Sequence, residues 1–327
     1  MHLSIRSTGR EDDGLSLCAI VHNEMYFLPA FLAHYRRIGV RRFVILDDAS
    51  TDGTADFLAL QPDCLVLEAP VRFFETVDGR RAVYAWRQEM MDRFCRDRWA
   101  IFADADEFLV PPPGETVASV IARLEAEGGD SIGGVMVEPY PASVAELTSE
   151  APFDPEGPWY FDAVPHALRL PGVTKPLWIY RGARARLFAE NGIRPGATKR
   201  RRLAGRLGIE RFLKANNIGK IPLMRWRAGT RWEGAHRIVP GPSSPDMLAI
   251  LHFKFTSDLG RKIAYALATG GYSDGSRQYR QLGELIGAMR ARDRSLLGRS
   301  SEPVSAAGLY RAGLGRWRRL GAAGGAR

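Results

Sequence analysis

The sequence predicts an α/β fold in which helices flank a mostly parallel central sheet. Three observations carry this reading. Apolar, β-branched runs at 15–24, 41–48, 64–70 and 98–110 alternate with segments whose apolar residues recur at helical spacing, the order that gives parallel strands joined by crossover helices. At 327 residues the chain is long enough to bury a large core. The polar residues of the apolar runs also collect at their carboxyl ends, where open α/β sheets bind their ligands.

The elements follow in order. LSLCAIVHNE (15–24) is a strand ending in polar residues, and FLPAFLAHYRRIG (27–39) a helix that stops at Gly39. RRFVILDD (41–48) is a second strand, ASTDGT a turn, TADFLALQ (54–61) a short helix and CLVLEAP (64–70) a third strand. From Arg81 to Arg98 an amphipathic helix places Val83, Trp86, Met90 and Phe94 on one face. RWAIFADADEFLV (98–110) reads as one continuous strand stopped by Pro111, Pro112 and Pro113. TVASVIARLEAEG (116–128) is a helix and SIGGVMVEPY (131–140) a fifth strand. Residues 150–200, rich in Pro, Gly and aromatics, read as long loops. KIPLMRW (220–226), AHRIVP (235–240) and MLAILHFKF (247–255) read as short strands, and SDLGRKIAYALATGG (257–271) as a helix. Beyond about residue 295 the Gly/Ala/Arg/Ser-rich sequence is expected to fray.

Composition narrows the function classes. No apolar run approaches the ~18–20 residues that cross a bilayer, and the start MHLSIRSTGREDDG lacks the apolar core of a signal peptide, so a cytoplasmic protein is expected. Cys18, Cys64 and Cys95 form no CxxC pair. They read as buried small hydrophobes and not as a disulfide framework or zinc site. The formal charge of +9 calls for an anionic partner. It is concentrated in KRRR (199–202) and in a tail with arginines at 311, 316, 318, 319 and 327 around Trp317. There is no basic stripe interleaved with aromatics and no nucleic-acid-binding motif, so a nucleic-acid partner is not expected.

Two motifs carry chemistry. In an extended chain Asp104 and Asp106 point the same way. Two carboxylates so close repel unless a cation neutralises them, and Mg²⁺ or Mn²⁺ takes oxygen ligands of this kind alongside substrate phosphates. On that geometry Glu107 points away from Asp106 and supports the shell from behind. In DDASTDGT (47–54), Asp48 ends a strand as a hydrogen-bond acceptor for a nucleobase or ribose, Asp52 caps the helix and Gly53 supplies a permissive backbone.

AIVHNE, then LDDASTDGT, then FADADEF together resemble the glycosyltransferase family 2 pattern, and within it the bacterial branch whose acidic motif is DxDEF. The resemblance covers roughly residues 15–115 and resumes loosely at KIPLMRW, 234–236 and LHFKF. It implies a GT-A fold, a nucleotide-sugar donor, Mn²⁺ or Mg²⁺ on the diphosphate and an inverting displacement by an acceptor hydroxyl. The chain reads as one domain over 1–295 followed by the basic tail (296–327), and the resemblance divides that domain into a nucleotide-binding half (1–140) and an acceptor half (141–295). By the family pattern Asp48 contacts the nucleoside, and His22, Asn23 and Glu24 line the nucleotide pocket. Asp104 faces the ribose or the metal's water and Asp106 holds the metal. His252 is a candidate further metal ligand and Lys254 a point charge for the diphosphate; Arg81 is a candidate donor contact, and His236 a weaker candidate than His252. The catalytic base has no clear counterpart; Asp162, Glu138 and Glu233 are the candidates. Trp159, Tyr160 and Trp178 are candidates for stacking on an acceptor sugar, while His34 and His166 read as structural. The acceptor is expected to be a carbohydrate or a lipid-linked molecule in surface or exported polysaccharide synthesis, with the tail resting on the inner face of the membrane. The rival readings are a sugar-phosphate nucleotidyltransferase, a DxDx[TV] phosphatase, and a non-catalytic basic protein that binds nucleic acid or membrane.

Overall fold

The computed structural model describes residues 2–77, 79–148, 151–164, 167–168, 177–178, 182–193, 219–234, 236–291 and 294–312. KRRR at 199–202, His166 and Trp317 lie outside these residues, as does the side chain of Trp178.

The strands are β1 (Ser4–Ser7), β2 (Ser16–Val21), β3 (Arg42–Asp47), β4 (Cys64–Glu68), the hairpin β5 (Thr76–Val77) and β6 (Arg80–Arg81), β7 (Trp99–Phe102), β8 (Glu107–Val110), β9 (Ser131–Val137), β10 (Tyr160–Asp162), β11 (Ala167–Leu168), β12 (Leu177–Trp178), β13 (Gly219–Arg225), β14 (Arg231–Trp232), β15 (Ile238–Val239), β16 (Met247–His252) and β17 (Ser301–Pro303). The first five helices are α1 (Leu28–Arg37), α2 (Thr54–Ala59), α3 (Ala82–Phe94), α4 (Val117–Ala126) and α5 (Ala183–Glu190); later helices are given by their ranges. Nine strands form one mixed sheet in the order β1-β4-β3-β2-β7-β13-β9-β16-β8. The fold is therefore α/β, but the sheet is not wholly parallel. β4, β3, β2 and β7 run parallel, as their crossover helices require. β1 and β13 flank them antiparallel.

The chain divides into two compact units. Met1–Gly134, Ala151–Pro155 and Lys220–Pro245 make the first, and Val135–Glu150, Glu156–Gly219 and Asp246–Arg327 the second.

In the first unit β3 is buried along its whole length, which explains its unbroken apolar sequence. Helix α3 lays Trp86 and Met90 into the core, with Val83 and Phe94 partly buried against the same cluster, the face expected from its spacing. It ends at Phe94, short of Arg98. Helix α1 has Pro29 in its first turn, where a missing N–H costs nothing. It ends ahead of Gly39, whose φ of 104° favours glycine. Cys18, Cys64 and Cys95 are free and buried.

One expectation fails. Residues 98–110 are not a single strand: β7 ends at Phe102 and β8 begins at Glu107. Between them the chain turns, closed by the Glu107 N–H donating to the Asp104 carbonyl at 2.9 Å. The two strands then occupy separate positions in the sheet order. A buried tyrosine makes the turn tenable. Tyr35 Oη, on α1, donates to the Glu107 carbonyl (2.9 Å) and accepts from the Leu109 N–H (3.2 Å), satisfying the start of β8.

The second unit has its own core, in which Leu187 and Phe188 of α5 meet Tyr279, Leu282, Leu285 and Ile286 of the helix Ser273–Arg290. That 18-residue helix is absent from the sequence reading. The expectation that the chain frays beyond about 295 is corrected as far as residue 312, where β17 pairs with β10 and Ala306–Arg311 is a helix capped by Ser305; residues 313–327 lie outside the described residues. No helix among the described residues is long and apolar enough to cross a membrane.

Candidate functional site

The parallel strands β3, β2 and β7 of the first unit end at one edge, and polar side chains meet there. The loops after β2 and β3 are laced together. The Asn23 N–H donates to Ser50 Oγ (2.8 Å), while Asn23 Oδ1 accepts from the Thr51 N–H (2.7 Å). The Glu24 N–H donates to Thr54 Oγ1 (3.0 Å) and the Met25 N–H to Asp52 Oδ2 (3.1 Å). Asp52 also accepts from the Thr54 N–H at the start of α2, and Gly53 has a φ of 89°. Asn23 and Ala49 both sit at positive φ, 54° and 51°. Asparagine tolerates this region, but Ala49 is strained there, and such strain persists where the surroundings enforce it.

His22 Nδ1 lies 2.7 Å from the Asp48 carbonyl. That contact needs the proton on Nδ1 and leaves Nε2 to accept from Asn23 Nδ2 at 3.3 Å. Asp48 is 2 % exposed. Burial pushes its pKa up to about 6, against the opposing pull of Arg72 and the Phe73 N–H. Arg72 was not singled out from sequence. Its Nε is 3.3 Å from Asp48 Oδ1, its Nη1 donates to the Ala49 carbonyl (3.2 Å) and its Nη2 lies 3.0 Å from the His22 ring. One guanidinium thus ties the loop after β4 to the ends of β2 and β3. A loop arginine among other arginines gives no sequence signal of this.

The acidic turn is built differently from the expected one. Glu107 does not point away from the site. Its Oε2 turns back to accept from the Asp104 N–H at 2.9 Å and from Lys220 Nζ. The cause is the turn: once the chain is not extended, alternation no longer separates the side chains. Lys220, at the start of β13, is buried, and its ammonium also stands 3.4 Å from Asp104 Oδ2. Arg87, buried on α3, donates from Nη2 to Asp104 Oδ1 at 3.3 Å. Its guanidinium lies over the rings of Phe102 (4.6 Å) and Trp232 (5.5 Å). Burial acts to raise the Asp104 pKa, but Lys220 and then Arg87 outweigh it, with a smaller contribution from His236, and Asp104 is held well below the usual carboxylate range. Glu107 goes the other way: burial and the Asp104 charge push it up to about 7 despite Lys220.

Asp104, Asp106 and Glu107 set three carboxylates against the side chains of Lys220 and Arg87, a formal balance of one negative charge. Asp106 is 3 % exposed, whereas the Asp104 side chain is 42 % exposed. Among the described residues no group of three or more His, Cys, Asp or Glu is placed to hold a metal ion. The turn between β7 and β8 removes the extended geometry that aimed Asp104 and Asp106 the same way; what they offer a cation is the sparser arrangement, in which one or two carboxylates serve and phosphate and water supply the remaining ligands.

The other candidates sit elsewhere. Arg81 is half-buried at the N-cap of α3. His252 ends β16 and Lys254 follows, its N–H donating to the His252 carbonyl (2.9 Å), both in the second unit. Each candidate base is ion-paired with arginine. In the second unit Glu138 meets Arg184, and Asp162 meets Arg186 (2.9 Å) and the Tyr140 hydroxyl (2.5 Å). In the first, exposed Glu233 meets Arg237, which lowers its pKa. Trp159 packs on Phe253 at 5.0 Å. His34 is structural, bonding through Nε2 to the Leu109 carbonyl at 2.9 Å.

The chain matches no model of a known protein family, and no curated protein matches it.

Proposed function

We propose that the protein is a glycosyltransferase that takes a sugar from a nucleotide-diphosphate donor and passes it to an acceptor hydroxyl on a carbohydrate or lipid-linked molecule. The reading joins the motif resemblance to one observation. Three adjacent parallel strands deliver His22–Glu24, Asp48 and Asp104–Asp106 to one edge, and Arg72, Arg87 and Lys220 reach that edge from three other segments. A nucleotidyltransferase would call for a glycine-rich phosphate loop after β2, where HNEMYF stands.

In this reading Asp48 accepts a hydrogen bond from the nucleoside and Arg72 orients it. The laced loops at 22–25 and 50–54 fix the rim without spending further ordering entropy on binding. Asp104 and Asp106 would hold Mn²⁺ or Mg²⁺, which supplies neutralisation of the departing diphosphate. Arg87 and Lys220 keep Asp104 ionised for that role. The displacement is proposed to be inverting. The base is assigned to no residue, since a carboxylate clamped by arginine is a poor proton acceptor.

A thermal-shift panel of UDP-, GDP-, dTDP- and CMP-sugars, with and without Mn²⁺, tests the reading. One nucleotide class should stabilise the wild type in a Mn²⁺-dependent way, and Asp106→Ala should abolish the response. No response to any nucleotide, or an undiminished response in Asp106→Ala, overturns it.

A further inference from the structure

Lys220 is the least expected member of the site. A buried lysine is costly unless paired, and this one is paired twice, with Glu107 and with Asp104. It lies between two of the three carboxylates. The resulting charge is finely set. With Lys220 the turn carries one formal negative charge beside Arg87, and without it two. A bare divalent cation would find Glu107 committed and Asp104 shared between Lys220 and Arg87. A cation that arrives with a diphosphate brings its own oxygen ligands and needs fewer from the protein.

We propose that Lys220 is a positioning residue: an internal counter-ion that withholds Glu107 and part of Asp104 from free divalent cations, so that the turn accepts a cation only together with a diphosphate. The inference rests on the donor-site reading above. Lys220 acts through Glu107, whose carboxylate holds the Asp104 N–H and so sets the shape of the turn. The role is one of binding order: nucleotide and metal enter as one complex, and the metal alone does not dwell in the site.

The test is Mn²⁺ binding to the full chain without nucleotide, read by electron paramagnetic resonance. Wild type should bind weakly. Lys220→Gln should bind at least about tenfold tighter, because it frees Glu107 and removes one positive charge a few ångströms away. Glu107→Gln/Lys220→Gln restores the wild-type formal charge and should return to weak binding. An unchanged affinity in Lys220→Gln, or a double variant as tight as the single, overturns the proposal. Should Lys220→Gln not fold, Glu107→Gln and the double variant repeat the one-charge comparison without a stranded buried carboxylate. The double variant should then bind Mn²⁺ about tenfold tighter than Glu107→Gln, and equal affinities overturn the proposal. The nucleotide panel separates the two readings. The expected Mn²⁺ series with no nucleotide response keeps Lys220 as the counter-ion that excludes free Mn²⁺, and removes the diphosphate partner together with the glycosyltransferase. A nucleotide response with a flat Mn²⁺ series does the reverse.

Discussion

Asp48, proposed above to contact the nucleoside, works against the fold that carries it. Its pKa of about 6 stands above the usual 3.8 because burial penalises the charge. Between those values the unfolded chain gives up the proton first, so raising pH through the window favours unfolding. The penalty is absent below about pH 4 and complete above about pH 6. Asp48→Asn should therefore melt a few degrees higher than wild type at pH 7 and at the same temperature near pH 4, while losing its nucleotide response; an equal gain at both pH values would show that charge burial is not the cause. Arg87→Met keeps the packing on Phe102 and Trp232 but removes the Asp104 bond. Because Asp104 is open to water, the stability cost should stay within ~2 kcal/mol, while donor affinity falls about tenfold or more; calorimetric titration beside urea unfolding measures both. Sequence exposed Asp48, Asp104 and Asp106 because a carboxylate against an apolar strand is conspicuous. It hid Arg72, Arg87 and Lys220, whose partners are brought to them only by folding.

At the scale of elements, the turn at 103–106 decides the site. Tyr35 fastens its exit by bonding both the Glu107 carbonyl and the Leu109 N–H. Tyr35→Phe leaves both groups buried and short of a partner, and should cost about 1–3 kcal/mol in urea unfolding. It should weaken donor binding too, since β8 carries Glu107. A loss confined to stability would separate the hydroxyl from the site. The parallel strands were legible because strands buried on both faces spell unbroken apolar runs. The turn was not, because ADADE contains neither Gly nor Pro and is flanked by IF and FLV, so the run looked continuous. The helix Ser273–Arg290 escaped for the opposite reason: SDGSRQYRQLGELIGAMR carries three glycines in a polar sequence, and its apolar face gains meaning only against Leu187 and Phe188.

At the scale of the whole molecule, the second unit buries two carboxylates, Glu138 and Asp162, each against an arginine. Asp162, nearly inaccessible, is clamped by Arg186 and Tyr140, whose hydroxyl also meets Ser301 Oγ at 2.7 Å. Arg186→Met strands that carboxylate and should cost about 3–5 kcal/mol, measured by denaturant unfolding, while the nucleotide response at the first unit's site persists. The same network changes how the tail can be tested. Removing 296–327 would take away β17 and Ser301, so a lost membrane-pelleting fraction in that truncation would report a damaged second unit as readily as a missing lipid contact. One feature also governs how the protein is made. Lys220 pairs with Glu107 across 113 residues, and β13 completes the flank of β7 from the same distant segment. A ribosome therefore releases the acidic turn long before the second of its two counter-charges exists, and bringing Lys220 to it carries the entropy of closing a very long loop. Until that segment emerges the nascent chain holds an acidic turn that has Arg87 but lacks Lys220, beside an unfinished sheet edge, a state exposed to aggregation.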